Sequence, residues 1–127
     1  MSKWKNLSVE SKIVEILKSV PYDNGHHFGR RFLTSYQIAI QFSKKFPTES
    51  KIIGPSIGGR VRGPEDSVAK YLAKQLSTRI KKGKLKSHIE GRFLDGQNLQ
   101  PIKFNGGKST VEATTEDRYS MFRLVVD

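Results

Sequence analysis

The sequence predicts a single small α+β domain, helical in its first two thirds and stranded in its last third. Three observations predict it. Apolar residues recur at helical spacing in three stretches before Gly83, each with start or stop signals of its own. After Gly83 the period shortens to two, in "SHIEGRFL" and again in "RYSMFRLVV". Two turn signals, "DGQN" and "NGGKST", lie in the connection between those runs. At 127 residues the chain has the length of one domain, spanning 1–127, and its 35% apolar content suffices for one small core.

The first helix is expected over Val9 to Val20. Val9, Ile13, Val14, Ile16, Leu17 and Val20 form one apolar stripe, with Ser8 as the N-cap and Pro21 as the stop. Residues 1–7 are expected to be a flexible N-terminus, and Trp4 suits the core or a second copy equally. A polar turn, "YDNGHHFG", follows, and "RRFL" suits a short strand. "LTSYQI" carries the clearest helix start in the chain. Thr34 stands at the N-cap with Gln37 as its capping-box partner, and Leu33 and Ile38 form a hydrophobic staple. Tyr36, Ala39, Ile40, Phe42 and Phe46 are the buried positions of this second helix, and Pro47 ends it.

Residues 48–63, rich in Gly, Ser and Pro, are expected to be a mobile basic loop. The third helix is expected to open at Pro64, a favoured first helical residue, with Glu65 and Asp66 where the helix dipole welcomes them. It ends near Lys82, with Gly83 as the left-handed residue that closes it. Between the two alternating runs, "LQPIKF" suits an edge strand, because Pro101 cannot serve the middle of a sheet.

Charge is the dominant feature of the composition. The formal net charge is +11 and the isoelectric point about 10.0. Residues 51–92 hold eleven Lys/Arg against three Asp/Glu, whereas residues 111–127 are net acidic. A localised excess of this kind favours an anionic partner, nucleic acid first. Other classes are disfavoured. No run approaches the ~18 apolar residues that span a membrane. "MSKWKNLSVESK" lacks the apolar core of a secretory signal. The absence of cysteine removes disulfides and thiolate metal sites and fits a reducing, cytoplasmic setting.

Three helices, an N-capped second one and a basic third, followed by a β-hairpin, make an element order that resembles the winged helix-turn-helix superfamily. The residues that carry the resemblance are "FLTSYQIAIQF", similar to the usual start of the second helix, and "SVAKYLAKQLSTRIKKGKLKS", similar to a recognition helix running into the first wing strand. The likeness spans about Ser8 to Val126. It implies a three-helix winged helix-turn-helix with a C-terminal β-hairpin wing, here with a long loop between helices 2 and 3 where the superfamily has a tight turn. It also implies that the hairpin tip approaches the nucleic-acid backbone, which would bring Lys103 and Lys108 to phosphates. "NGGKST" serves equally as an exposed turn, and Arg92 is undecided.

The third helix reads the same way without any family. At about 100° per residue, Val68, Ala69, Leu72, Ala73, Leu76 and Ile80 share one face. Lys70, Tyr71, Lys74, Gln75, Ser77, Thr78, Lys81 and Lys82 share the other. Lysines there, continued by Lys84 and Lys86, hold phosphates, and Tyr71, Lys74, Gln75 and Thr78 are candidates for base edges. Arg60 and Arg62, set among Gly58, Gly59 and Gly63, form an arm that suits an A·T-rich minor groove. A glycine-rich stretch before a helix N-terminus also raises phosphate binding. The spacing fits neither a Walker A loop nor a dinucleotide fingerprint.

Catalysis and metal binding find little footing. His26 and His27 are adjacent and His88 stands alone, without acidic partners at ligand spacing. Glu112, Glu116 and Asp117 are the only acidic cluster, short of what a metal-dependent nuclease arranges. The expectation is therefore a non-enzymatic DNA-binding protein with no cofactor, of transcriptional-regulator or phage and mobile-element type, with double-stranded DNA as its partner. An RNA-binding module and a protein–protein subunit docking an acidic partner are the alternatives. Duplex RNA bound in preference to DNA marks the first, and weak binding to both marks the second.

Overall fold

Local signals and tertiary contacts share the work of placing each element in the computed structural model, which describes residues 2–22, 27–58, 67–100, 102–107, 109–113 and 118–125. The order is α1 (Lys3–Asn6), α2 (Val9–Lys18), β1 (Leu33–Thr34), α3 (Ser35–Lys45), α4 (Pro47–Ile53) and α5 (Val68–Lys82), then β2 (Ile89–Asp95), β3 (Lys103–Asn105), β4 (Thr110–Glu112) and β5 (Arg118–Leu124). The fold is mixed α+β.

β1, β5 and β2 form an antiparallel sheet in that order, with Leu33 opposite Phe122 on one side of β5 and Gly91 opposite Phe122 on the other. The helices cover the sheet, and α3 touches α2, α4, α5 and β5. Ile13, Ile16 and Leu17 from α2, Ile38 and Phe42 from α3, Leu72 and Leu76 from α5 and Phe122 from β5 are fully buried between the layers.

α3 starts where the sequence places it. The Thr34 N–H donates to Gln37 Oε1 at 2.8 Å and the Gln37 N–H donates to Thr34 Oγ1 at 3.2 Å. This closes the capping box and turns the short strand β1 directly into the helix. α5 ends as expected at Gly83, whose φ of 65° is left-handed, and the Lys84 N–H donates back to the Arg79 carbonyl at 2.9 Å.

Several expectations are corrected. The N-terminus expected to be flexible forms α1, and Trp4 lies in the core at 5% exposure, so its ring is used within this chain. Ser8 stands at the start of α2 but in a left-handed conformation, with no side-chain cap bond. α2 stops at Lys18, and Arg30 Nη1 donates to the Lys18 and Val20 carbonyls at 3.3 and 2.7 Å, closing that end in place of further helix. The loop expected over 48–63 contains α4, begun by Pro47 at its first position and anchored by Ile53, which is buried. α5 begins at Val68 rather than Pro64, because the Ser67 hydroxyl caps it by accepting from the Lys70 N–H; Pro64, Glu65 and Asp66 lie outside the described residues.

The connection between β2 and β5 also differs from a simple hairpin tip. It carries a separate two-stranded sheet, β3 with β4, of which the sequence suggested only the first strand. This hairpin folds back along α3. The Phe104 ring stacks on Tyr36 with centroids 5.4 Å apart, Val111 is buried, and the turn residue Gly107 sits beside the Lys44 side chain. Apolar residues on one side of a short hairpin need a surface to cover, and α3 supplies it.

Candidate nucleic-acid interface

α5 is about 22 Å long at the usual helical rise. Lys70, Lys74, Ser77, Thr78 and Lys81 are exposed along its outer side, whereas Val68, Ala69, Leu72 and Leu76 are buried beneath. The lysines of this stripe repeat at intervals of four and seven residues, one helical face. Tyr71, Gln75 and Lys82 belong to a flank turned by about 100° from the stripe. Tyr71 and Gln75 are half-buried there, and the Tyr71 ring packs against the core. Burial holds the Tyr71 hydroxyl above its ordinary pKa, with the nearby Arg79 charge acting in the opposite direction.

Beyond Gly83, Lys84 and Lys86 are exposed on the link to β2. That link is fixed by a residue far away in the chain. Glu10 Oε2, in the first turn of α2, accepts from the Lys86 N–H at 2.8 Å and the Ser87 N–H at 2.9 Å. The lysines after the helix are thus presented from an anchored backbone.

The start of α5 has no free donors for a phosphate. Its first N–H groups, those of Val68 and Ala69, donate to the Ser56 and Ile57 carbonyls, each at 2.8 Å. Lys70 and Tyr71 donate to the Ser67 side chain and carbonyl at 3.2 and 2.9 Å. The reading of this helix end as a phosphate site is therefore corrected. The same bonds hold the two flanks of segment 59–66 together. Gly58 is pressed so closely on Tyr36 that a Cβ there would lie 2.7 Å from the ring. Arg60 and Arg62, between these anchors, lie outside the described residues, as does Lys108. Lys103 is exposed on β3.

Between α5 and the β2–β5 pair runs a trough that local sequence does not announce. Its larger basin, about 1250 Å³, lies between Ala73, Lys74 and Ser77 on the helix and Phe93, Asp95 and Arg118 on the strands. A smaller basin of about 320 Å³ continues past Phe93, with Ile80, Gly91 and Phe122 at its floor and Lys81 and Arg92 at its edge. Phe93 is 58% exposed, and the Arg118 guanidinium lies 4.3 Å from its ring centroid. Strand alternation marks Phe93 as a core position with Ile89 and Gly91. Its partner Arg118 is brought near only by the β2–β5 register, which sets Asp95 opposite Arg118 and Phe93 opposite Ser120.

Arg92 pairs with Glu90, which also accepts from Arg123 Nε at 2.7 Å. Arg123 in turn donates to the Phe28 and Arg30 carbonyls, tying the segment before β1 to the sheet. Glu112 is exposed on β4, while Glu116, Asp117 and His26 lie outside the described residues. Among the described residues no three His, Cys, Asp or Glu side chains gather as a metal site would need, and no helix is long and apolar enough to cross a membrane. No family model, curated protein or solved structure matches the chain.

Proposed function

We propose that this chain is a non-enzymatic double-stranded-DNA-binding domain of the winged helix-turn-helix kind, with α5 as the element laid in the major groove. The exposed stripe of Lys70, Lys74, Ser77, Thr78 and Lys81 carries the reading. It combines cations that neutralise phosphates with hydroxyls that reach base edges, on a helix of the right width for that groove. The fold reading draws support from the element order α2, β1, α3, α5, β2, β5 and the strand order β1-β5-β2. In chain order α4 comes between α3 and α5, where a helix-turn-helix has its tight turn. Lys84 and Lys86 extend the phosphate contacts, and Arg60 and Arg62 reach a neighbouring groove. Such a module serves a transcriptional regulator or a phage or mobile-element factor.

Fluorescence anisotropy of labelled generic duplex DNA across a salt series tests this, beside an equal-length RNA duplex. Binding to DNA is expected, with a log–log salt slope of about −0.9 for each phosphate neutralised. RNA binding is expected to be weaker, because the deep, narrow major groove of an A-form duplex does not admit a helix. Tighter RNA binding moves the reading to an RNA module. Failure to bind either duplex at low salt moves the basic face to an acidic protein partner.

A further inference from the structure

We infer that the trough between α5 and β2 receives an unpaired nucleobase stacked on Phe93, so that the preferred ligand is a duplex carrying a single-stranded extension. The inference rests on the DNA-binding reading and names the form of nucleic acid that this face takes.

A large ring left more than half exposed costs favourable burial, and that of Phe93 sits inside a concavity rather than on a flat surface. Phe93 lines both basins of the trough, whereas Arg118 lines only the larger one. Phe93 borders both basins together with Ser77 and Ser120, with the Arg118 guanidinium 4.3 Å from its centroid toward the larger one and Gly91 and Phe122 toward the small apolar one. A cation held over one face of an aromatic ring orients it, and the opposite face remains for a planar guest. Gly91 keeps the basin open. A Cβ there would come within 3.3 Å of the Phe122 ring and 3.5 Å of Ile80 Cδ1, on the floor that the guest would cover.

The charges around the trough select the chemistry of the guest. Lys74 and Lys81 border it from the helix and Arg118 from the strands, while Arg92 at its edge is paired with Glu90; Asp95 is the one lining carboxylate among the described residues. A guest that is planar and apolar at its centre but anionic along its length is a nucleotide with its base turned in and its phosphates along the lysines. Stacking on aromatic side chains beside a basic groove is how unpaired strands are held without strict sequence preference. A base inside a duplex has no face to offer, so the guest lies beyond the paired region. Asp95 accepts from an exocyclic amine and keeps phosphate away from that end.

Three labelled ligands test this: a blunt duplex, the same duplex with a single-stranded overhang, and that overhang with its bases removed. Wild-type protein is expected to prefer the base-bearing overhang over the blunt duplex by about five- to a hundredfold, and the abasic overhang is expected to fall back to the blunt value. Phe93→Leu, at an exposed position and with apolar volume retained, is expected to lose the preference and keep its affinity for blunt duplex. The inference is overturned if the overhang brings no gain, if the abasic overhang binds as tightly as the intact one, or if Phe93→Leu weakens all three ligands equally. Blunt-duplex binding reports on the DNA-binding reading separately: absent binding to all three ligands removes both.

Discussion

Arg79 holds its guanidinium carbon 4.5 Å from the centroid of the Trp4 ring, joining the N-terminal helix to the C-terminal half of α5. The ring is buried, and Arg79 Nε is buried with no hydrogen-bond partner among the described residues, so the contact depends on the ring and on close packing. Trp4→Ala is expected to destabilise the fold by about 3–5 kcal/mol, and Trp4→Phe by much less. Urea denaturation followed by circular dichroism measures both. A cost below about 1 kcal/mol for the alanine variant would mean that α1 is not part of the cooperative unit.

The carboxylate of Glu10 and the amides of Lys86 and Ser87 are brought together across most of the chain. Hydrogen bonds to a charged acceptor are stronger than neutral ones, but this pair lies near the surface. Glu10→Ala is therefore expected to cost about 1 kcal/mol. Hydrogen exchange at the Lys86 and Ser87 amides is expected to accelerate more than at Gly83 or Lys84, which the end of α5 protects. Equal acceleration at all four amides would indicate loss of the helix end instead of release of the link.

The two sides of α5 are expected to respond differently to loss of charge. Lys74→Ala combined with Lys81→Ala removes two cations of the outer stripe, and the salt slope on duplex DNA is expected to flatten by about 1.8. Lys82→Ala, on the flank beside Tyr71 and Gln75, is expected to leave the slope nearly unchanged. The comparison is made by anisotropy in one buffer series. A Lys82 effect as large as that of either stripe lysine would place the docking face elsewhere.

Burial raises the Tyr71 pKa above the ordinary value of 10.0. The folded state then holds that proton more tightly than the unfolded chain does. Tyr71 accordingly leaves stability unaffected below the ordinary value, and stability falls as pH rises past it toward the raised one. Tyr71→Phe is expected to lessen the fall in urea midpoint between about pH 9 and about pH 11. The difference in tyrosinate absorbance between wild type and variant is expected to show a step above the ordinary tyrosine range.

Sequence by itself determined what short-range chemistry determines. The capping box of Thr34 and Gln37 spans three residues, and Gly83 needs only its own missing side chain to stop α5. The inner and outer faces of α5 follow from helical period alone, so Lys70, Lys74, Thr78 and Lys81 were legible as exposed. Tertiary structure decided what depends on partners distant in the chain. α1 and α4 are too short to hold themselves as helices, and each stands because a buried residue, Trp4 or Ile53, anchors it to the core. The β3–β4 hairpin lies on α3 because Phe104 meets Tyr36, and the α5 N-terminus is closed by carbonyls of Ser56 and Ile57. Phe93 and Arg118 meet because β2 and β5 pair in one register, since a shift by one residue would turn Phe93 to the other face of the sheet. Periodicity specifies which side of an element faces inward; only packing specifies what it finds there.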